Sequence, residues 1–194
     1  RLLLTGQHKE MVYQVLDIFE ITAQKDLGLM TKNQTLTHIT CETLSGLEND
    51  FKKYRPDLVI VQGDTSTAFT ASLSAFYAKI PVAHVEAGLR TKNKLNPYPE
   101  EINRRLISQI ADLHFAPTDL AKLNLKKSGI NENIFNTGNT VIEALLSISN
   151  RVKYPVIKNL DWSTKKNILV TVHRRENWGN NIENIANALK KLSN

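Results

Sequence analysis

At 194 residues, with 41% apolar and 23% charged residues, the chain can bury a core of its own and has the composition of an ordinary globular protein. No apolar run approaches the roughly 20 residues of a membrane span and no signal peptide is visible, so a cytoplasmic location with no membrane partner is expected. A net charge of +6 would suit nucleic acid if the basic residues were clustered; they are scattered singly and in short pairs without a binding motif, which speaks against a nucleic-acid partner.

Leu2 to Thr5 reads as a short strand, with Gly6, Gln7 and His8 at its carboxyl end. Met11, Val12, Val15, Leu16 and Phe19 recur near a period of 3.6 and predict a helix from Glu10 to Phe19. A loop with a short strand leads to Met30. A long helix follows from Gln34 to Tyr54, with Leu36, Ile39, Leu44, Leu47 and Phe51 as its stripe and Arg55 and Pro56 as its stop. Cys41, the single cysteine, sits at helical spacing among them and is expected to be a buried thiol, which leaves no disulfide and no cysteine metal site. Leu58 to Val61 is a continuous apolar run, the pattern of a strand covered by helices on both faces, and Gly63, Asp64 and Thr65 form its exit turn. Thr65 to Ala78, rich in Ala, Ser and Thr, predicts a helix packed close to the sheet. Strands over Pro81 to Val85, Leu113 to Ala116 and Ile134 to Asn136 alternate with helices over Glu100 to Ala111, Pro117 to Lys127 and Thr140 to Ser149. Such alternation in crossover-sized units predicts the α/β class with a doubly wound parallel sheet.

Periodicity dissolves between Asn150 and Lys166. Residues 1–150 are therefore expected to form a Rossmann-like domain, 151–166 a linker, and 167–194 the start of a second α/β domain with a strand over Asn167 to Thr171 and a helix over Ile182 to Leu192. Arg1 runs straight into LLLTG and Asn194 falls inside a helical pattern, so a fragment is expected.

Ligands of open α/β sheets bind beyond the carboxyl ends of the strands, where Glu86, Arg90 and Glu100 would converge. Asp64 taken alone reads as a turn former or helix cap. Glu86, at the end of an apolar strand and just before Ala-Gly, has little structural work to do. Glu100 and Glu101 fit a helix's first turn, and Arg104 and Arg105 fit pairs with them at helical spacing. His38, His84 and His114 read as structural, and His173 in HRRE heads the second domain. Three carboxylates and one histidine at strand ends make an acid and base set without metal-ligand spacing. Neither a dinucleotide fingerprint, a P-loop nor a nucleophile elbow occurs.

GQHKEM, QGDTSTAF, PVAHVEAGLRT, NPYPEEINRRLIS, FAPT, TGNTVIEAL and TVHRREN together resemble the bacterial non-hydrolysing UDP-N-acetylglucosamine 2-epimerases over essentially the whole chain. The resemblance implies two Rossmann-like domains in the GT-B arrangement, a cleft between them, a homodimer, no cofactor or metal, and a UDP-sugar substrate. It implies interconversion of UDP-N-acetylglucosamine and UDP-N-acetylmannosamine for surface polysaccharides, by anti elimination of UDP and its re-addition to a 2-acetamidoglucal. Matched motif by motif, Asp64, Glu86, Glu100 and His173 are the catalytic candidates, and Arg90, Arg104, Arg174 and Asn139 the substrate-binding ones. Some members bind a second UDP-sugar as an activator, for which Gln7, His8, Gln34, Glu100 and Arg174 match; Asn33 and Glu10 depart from the arginine and glutamine such members carry. The family's first strand, with its Gly-Thr-Arg-Pro-Glu loop, and most of its carboxyl-terminal domain have no counterpart here. The piece alone is therefore expected neither to grip UDP nor to epimerise. A hydrolysing relative, a GT-B glycosyltransferase and a silent sugar-nucleotide sensor are the competing readings; the pairing of HVEAG with PEEINR disfavours the glycosyltransferase, and the joint presence of the three acids disfavours the sensor.

Overall fold

The computed structural model describes the chain apart from residues 7–8, 30, 32–33, 152–159, 162, 173–178 and 193–194, and apart from the side chains of residues 9–10. It divides into two compact units, Arg1–Arg151 and Val152–Asn194. In the first, β1 (Leu3–Leu4), α1 (Lys9–Ile18), β2 (Lys25–Asp26) and α2 (Leu36–Lys53) precede β3 (Val59–Gln62), α3 (Ser66–Tyr77), β4 (Val82–Val85) and α4 (Glu100–Ile110). β5 (Leu113–Ala116), α5 (Asp119–Lys127), β6 (Ile134–Asn136) and α6 (Thr140–Ser149) complete it. These elements follow the sequence reading to within a residue or two at most ends.

All strand pairs among the described residues are parallel. β1 pairs β2 in a small sheet, and β3, β4, β5 and β6 form a four-stranded sheet in that order. Because the larger sheet advances in one direction, right-handed crossovers place α3, α4 and α5 on the same face. Val61, Val82 and Ile107 pack there with Ala68, Ala75 and Ile80 of the α3 region. A smaller cluster of Ala87, Ala116, Ala121 and Leu125 seats α5 beside it. Ile60 points to the opposite face and stays 65% exposed, so β3 is not covered on both sides as its apolar run suggested. Crossovers that run one way cannot supply helices to both faces.

Small residues let α3 lie close to the sheet. Ala68, Ser72 and Ala75 are buried while Phe76 and Tyr77 point outward. The buried hydroxyls of Thr70 and Ser72 donate to the carbonyls of Ser66 and Ala68, so their burial leaves no unmet donor. Helix starts follow their caps. Thr35, Thr65, Thr118 and Asn139 each accept a hydrogen bond from a first-turn amide of α2, α3, α5 and α6.

Two further expectations are corrected. Cys41 is exposed: α2 buries Ile39, Thr43, Leu47 and Asp50, and Cys41 lies two residues, or about 200°, off that stripe. In the second unit, α7 (Asn180–Leu192) forms as expected, but residues 167–171 pair with no described strand. Ile168 and Leu169 are 82% and 93% exposed. A strand is defined by its ladder, and an apolar run without a neighbour has none.

Candidate active site

The exit turns of β3 and β4 and the amino-terminal half of α4 meet at the carboxyl edge of the sheet. Register fixes this meeting, since Gln62 lies beside Val85 and the next residues of each strand turn away together. Gly63 has φ +74°, the left-handed region that favours glycine, and it places the turn beside the Glu86 carboxylate. Gln62 Nε2 donates to Glu86 Oε1 at 2.9 Å. Glu86 itself has φ +66°, a left-handed conformation that disfavours any residue with a Cβ. Two residues on, Gly88 (φ +87°) is required by contact: a Cβ there would sit 2.2 Å from the carbonyl oxygen of Ala121. Glu86 is thus held on a tight turn pressed between β4 and α5.

Asp64 is anchored from α4. Arg104 Nη2 donates to Asp64 Oδ2 at 2.5 Å, and Asn103 Nδ2 donates to the Asp64 carbonyl at 2.9 Å. Glu100 stands one turn before Arg104, so it shares the helix face that carries both of these contacts. The structure therefore brings Asp64, Glu86 and the Glu100 face of α4 to one edge.

Behind this edge lies a buried polar layer. Glu101 is 0% exposed; it accepts from the Thr91 amide at 2.9 Å and from Arg105 Nε at 2.7 Å, and lies 3.5 Å from Arg104 Nη1. Arg90 donates to Ser108 Oγ and to the Leu89 carbonyl. Burial pulls the Arg90 pKa down, with Glu101 opposing. Arg104 and Arg105 are paired with Asp64 and Glu101, so their charges are largely met within the site by its own acids. His84, also fully buried, contacts the Gly63 carbonyl through Nε2 at 2.7 Å. A carbonyl only accepts, so the proton is on Nε2, and burial pushes the pKa down to about 4 and keeps the ring neutral.

Asn139 is exposed and caps α6 through its side chain. Gln34 lies before α2, where its Oε1 accepts from the Thr31 amide at 2.6 Å. Gln7, His8, His173 and Arg174 lie outside the described residues. Among the described residues, no three acids, histidines or cysteines group as a metal site. Sequence reasoning explained Glu101 as a helix-start acid and His84 as a strand residue. Glu101's spacing to Arg104 and Arg105 was the available signal, but spacing alone does not distinguish a buried pair from a solvated one.

A family model described as UDP-N-acetylglucosamine 2-epimerase matches residues 1–194. The chain belongs to the UDP-N-acetylglucosamine 2-epimerase family. A UDP-N-acetylglucosamine 2-epimerase of Bacillus subtilis is 48% identical over 191 residues, which are 97% of this chain and 50% of that protein. One from Neisseria meningitidis serogroup A is 46% identical over 198 residues, 98% of this chain and 53% of its own length. Among solved structures, the Staphylococcus aureus MnaA complex with UDP aligns with a TM-score of 0.84 at 42% identity, over 98% of this chain and 50% of that one. The Neisseria meningitidis UDP-GlcNAc 2-epimerase bound to UDP-GlcNAc aligns with a TM-score of 0.73 at 50% identity, over 77% and 41%. These epimerases have a GT-B type fold, and the parallel-sheet α/β architecture described above is shared with them. The chain spans about half the length of the curated relatives it matches.

Proposed function

We propose that the full-length polypeptide carrying this sequence epimerises UDP-N-acetylglucosamine at C2 to UDP-N-acetylmannosamine. A carboxylate takes the C2 proton, the C1–oxygen bond to UDP breaks, and the electron pair left at C2 forms the C1=C2 bond of a 2-acetamidoglucal. Protonation of C2 on the other face and return of the UDP oxygen to C1 complete the inversion. The observation that carries this reading is the convergence of Asp64, Glu86 and the Glu100 face of α4 at one sheet edge, in a chain of this family. Acid and base groups on two sides of one carbon are what the reaction requires.

Asp64 and Glu100 handle the protons, and Glu86 shapes the site or shares that work. Arg90 and Arg104 contribute charge toward the diphosphate, with Asn139 as a further substrate contact, and His173 and Arg174 serve the leaving UDP from the second domain. Gln7, His8, Gln34, Glu100 and Arg174 remain the positions for an activating second UDP-sugar. The enzyme works as a cytoplasmic homodimer without cofactor, and its product supplies surface polysaccharide.

Turnover in heavy water tests the proton chemistry. Wild-type full-length protein is expected to place deuterium at C2, and Asp64→Asn and Glu100→Gln to lose that exchange. Unimpaired exchange in both variants would sink the assignment. Release of free UDP with N-acetylmannosamine, in place of a UDP-sugar, would move the protein to the hydrolysing class.

A further inference from the structure

We propose that Glu101 is a positioning residue for the reaction: it fixes Arg104 against Asp64 and ties the loop after Gly88 to the same helix. The catalytic consequence rests on the epimerase reading; the structural one does not.

Glu101 is the carboxylate of this region that water does not reach. An ionised carboxylate so placed is costly unless it is paired and hydrogen-bonded, and Glu101 uses both oxygens. Oε1 takes Arg105 at 2.7 Å, while Oε2 takes the Thr91 amide at 2.9 Å and faces Arg104 Nη1 at 3.5 Å. Arg104 is thereby bracketed between two acids, since its other terminal nitrogen holds Asp64 at 2.5 Å. An arginine fork between two fixed carboxylates has little rotational freedom left. Arg105 extends the same tie, donating from Nη2 to the Thr91 carbonyl at 3.2 Å. Thr91 in turn donates through its hydroxyl to the carbonyls of Asn93 and Asn96, so the loop leading to α4 closes back on Glu101.

This arrangement separates two adjacent glutamates by task. Glu100 faces the edge where the candidate acids gather, and Glu101, about 100° around the helix, never reaches a ligand. Its influence passes through Arg104 to Asp64. A carboxylate shortened by one methylene keeps the charge but cannot hold Thr91, Arg104 and Arg105 together.

The test uses full-length protein with Glu101→Asp and Glu101→Gln. Glu101→Asp is expected to fold with a lowered melting temperature, because the shortened buried carboxylate gives up part of its bonding, while kcat per folded molecule falls by about 10- to 100-fold, the scale of an ångström-sized misplacement. Glu101→Gln is expected to lose at least as much, and its failure to fold would leave Glu101→Asp to decide. A merely structural role would lower the melting temperature and spare kcat per folded molecule. Crystal structures of the variants give a readout independent of activity: Arg104 is expected to leave Asp64. Wild-type kcat in a folded variant, or an unmoved Arg104, overturns the proposal. An inactive wild-type enzyme instead overturns the epimerase reading, and the Arg104 position still decides the role of Glu101.

Discussion

Glu86 occupies a backbone conformation that costs a residue with a Cβ about 1–2 kcal/mol, and strain of this kind persists where the surroundings impose it, often at functional sites. Glycine would relieve it. Glu86→Gly is expected to raise stability by about 1 kcal/mol in chemical denaturation while abolishing turnover of the full-length enzyme. A loss of stability, or retained turnover, would remove the functional reading of that strain. His84 supplies a prediction about pH. Its folded pKa of about 4 lies below the ordinary 6.5 because burial disfavours the imidazolium. Between those values the unfolded chain binds a proton that the folded chain does not. Stability is therefore fully present above about pH 6.5 and is lost as pH falls toward 4, by about 3 kcal/mol from this group. His114, lowered mainly by burial, acts in the same direction. Urea titrations across this range are expected to show the slope, and His84→Gln to flatten it.

At the scale of elements, the site depends on how two strand exits are closed. The β4 exit needs Gly88 both for its left-handed φ and for the space that Ala121 of α5 would otherwise contest. Gly88→Ala is expected to cost about 3 kcal/mol or more, a loss of folded protein that thermal melting will register. Helix α5 begins at Thr118, whose hydroxyl accepts from the Ala121 amide at 3.1 Å. Thr118→Ala is expected to cost only about 1 kcal/mol, which makes it a control for simple loosening of the helix that backs the turn. The two differ because a clash against a backbone carbonyl cannot relax, whereas a lost cap is replaced by water. Helix α4 was legible as a helix from EEINRRLISQI, but its two faces were not. Glu101, Ile107 and Ser108 go inward, and Arg104 reaches the edge to pair with Asp64.

For the whole chain, the decisive asymmetry is the uneven cover of the larger sheet. Ile60 and Phe135 on the far face remain exposed, as do Val141, Ile142, Leu145 and Leu146 of α6. Exposed apolar side chains in this number favour association. The purified 194-residue chain is expected to scatter light increasingly with concentration and to show no epimerase turnover, whereas a polypeptide of the relatives' length turns over. Robust turnover by the short chain would contradict this.

Sequence alone determined the order and kind of nearly every element, because periods of 3.6, unbroken apolar runs and Thr or Asn caps are local properties of the chain. It also determined the family, through motifs clustered at strand ends. Tertiary structure alone decided which face of a strand was covered, why residues 167–171 have no ladder, and which of two neighbouring glutamates is buried. Those outcomes depend on partners distant in sequence: a crossover's hand, a neighbouring strand, and the arginines and loop amide that make an interior carboxylate tolerable.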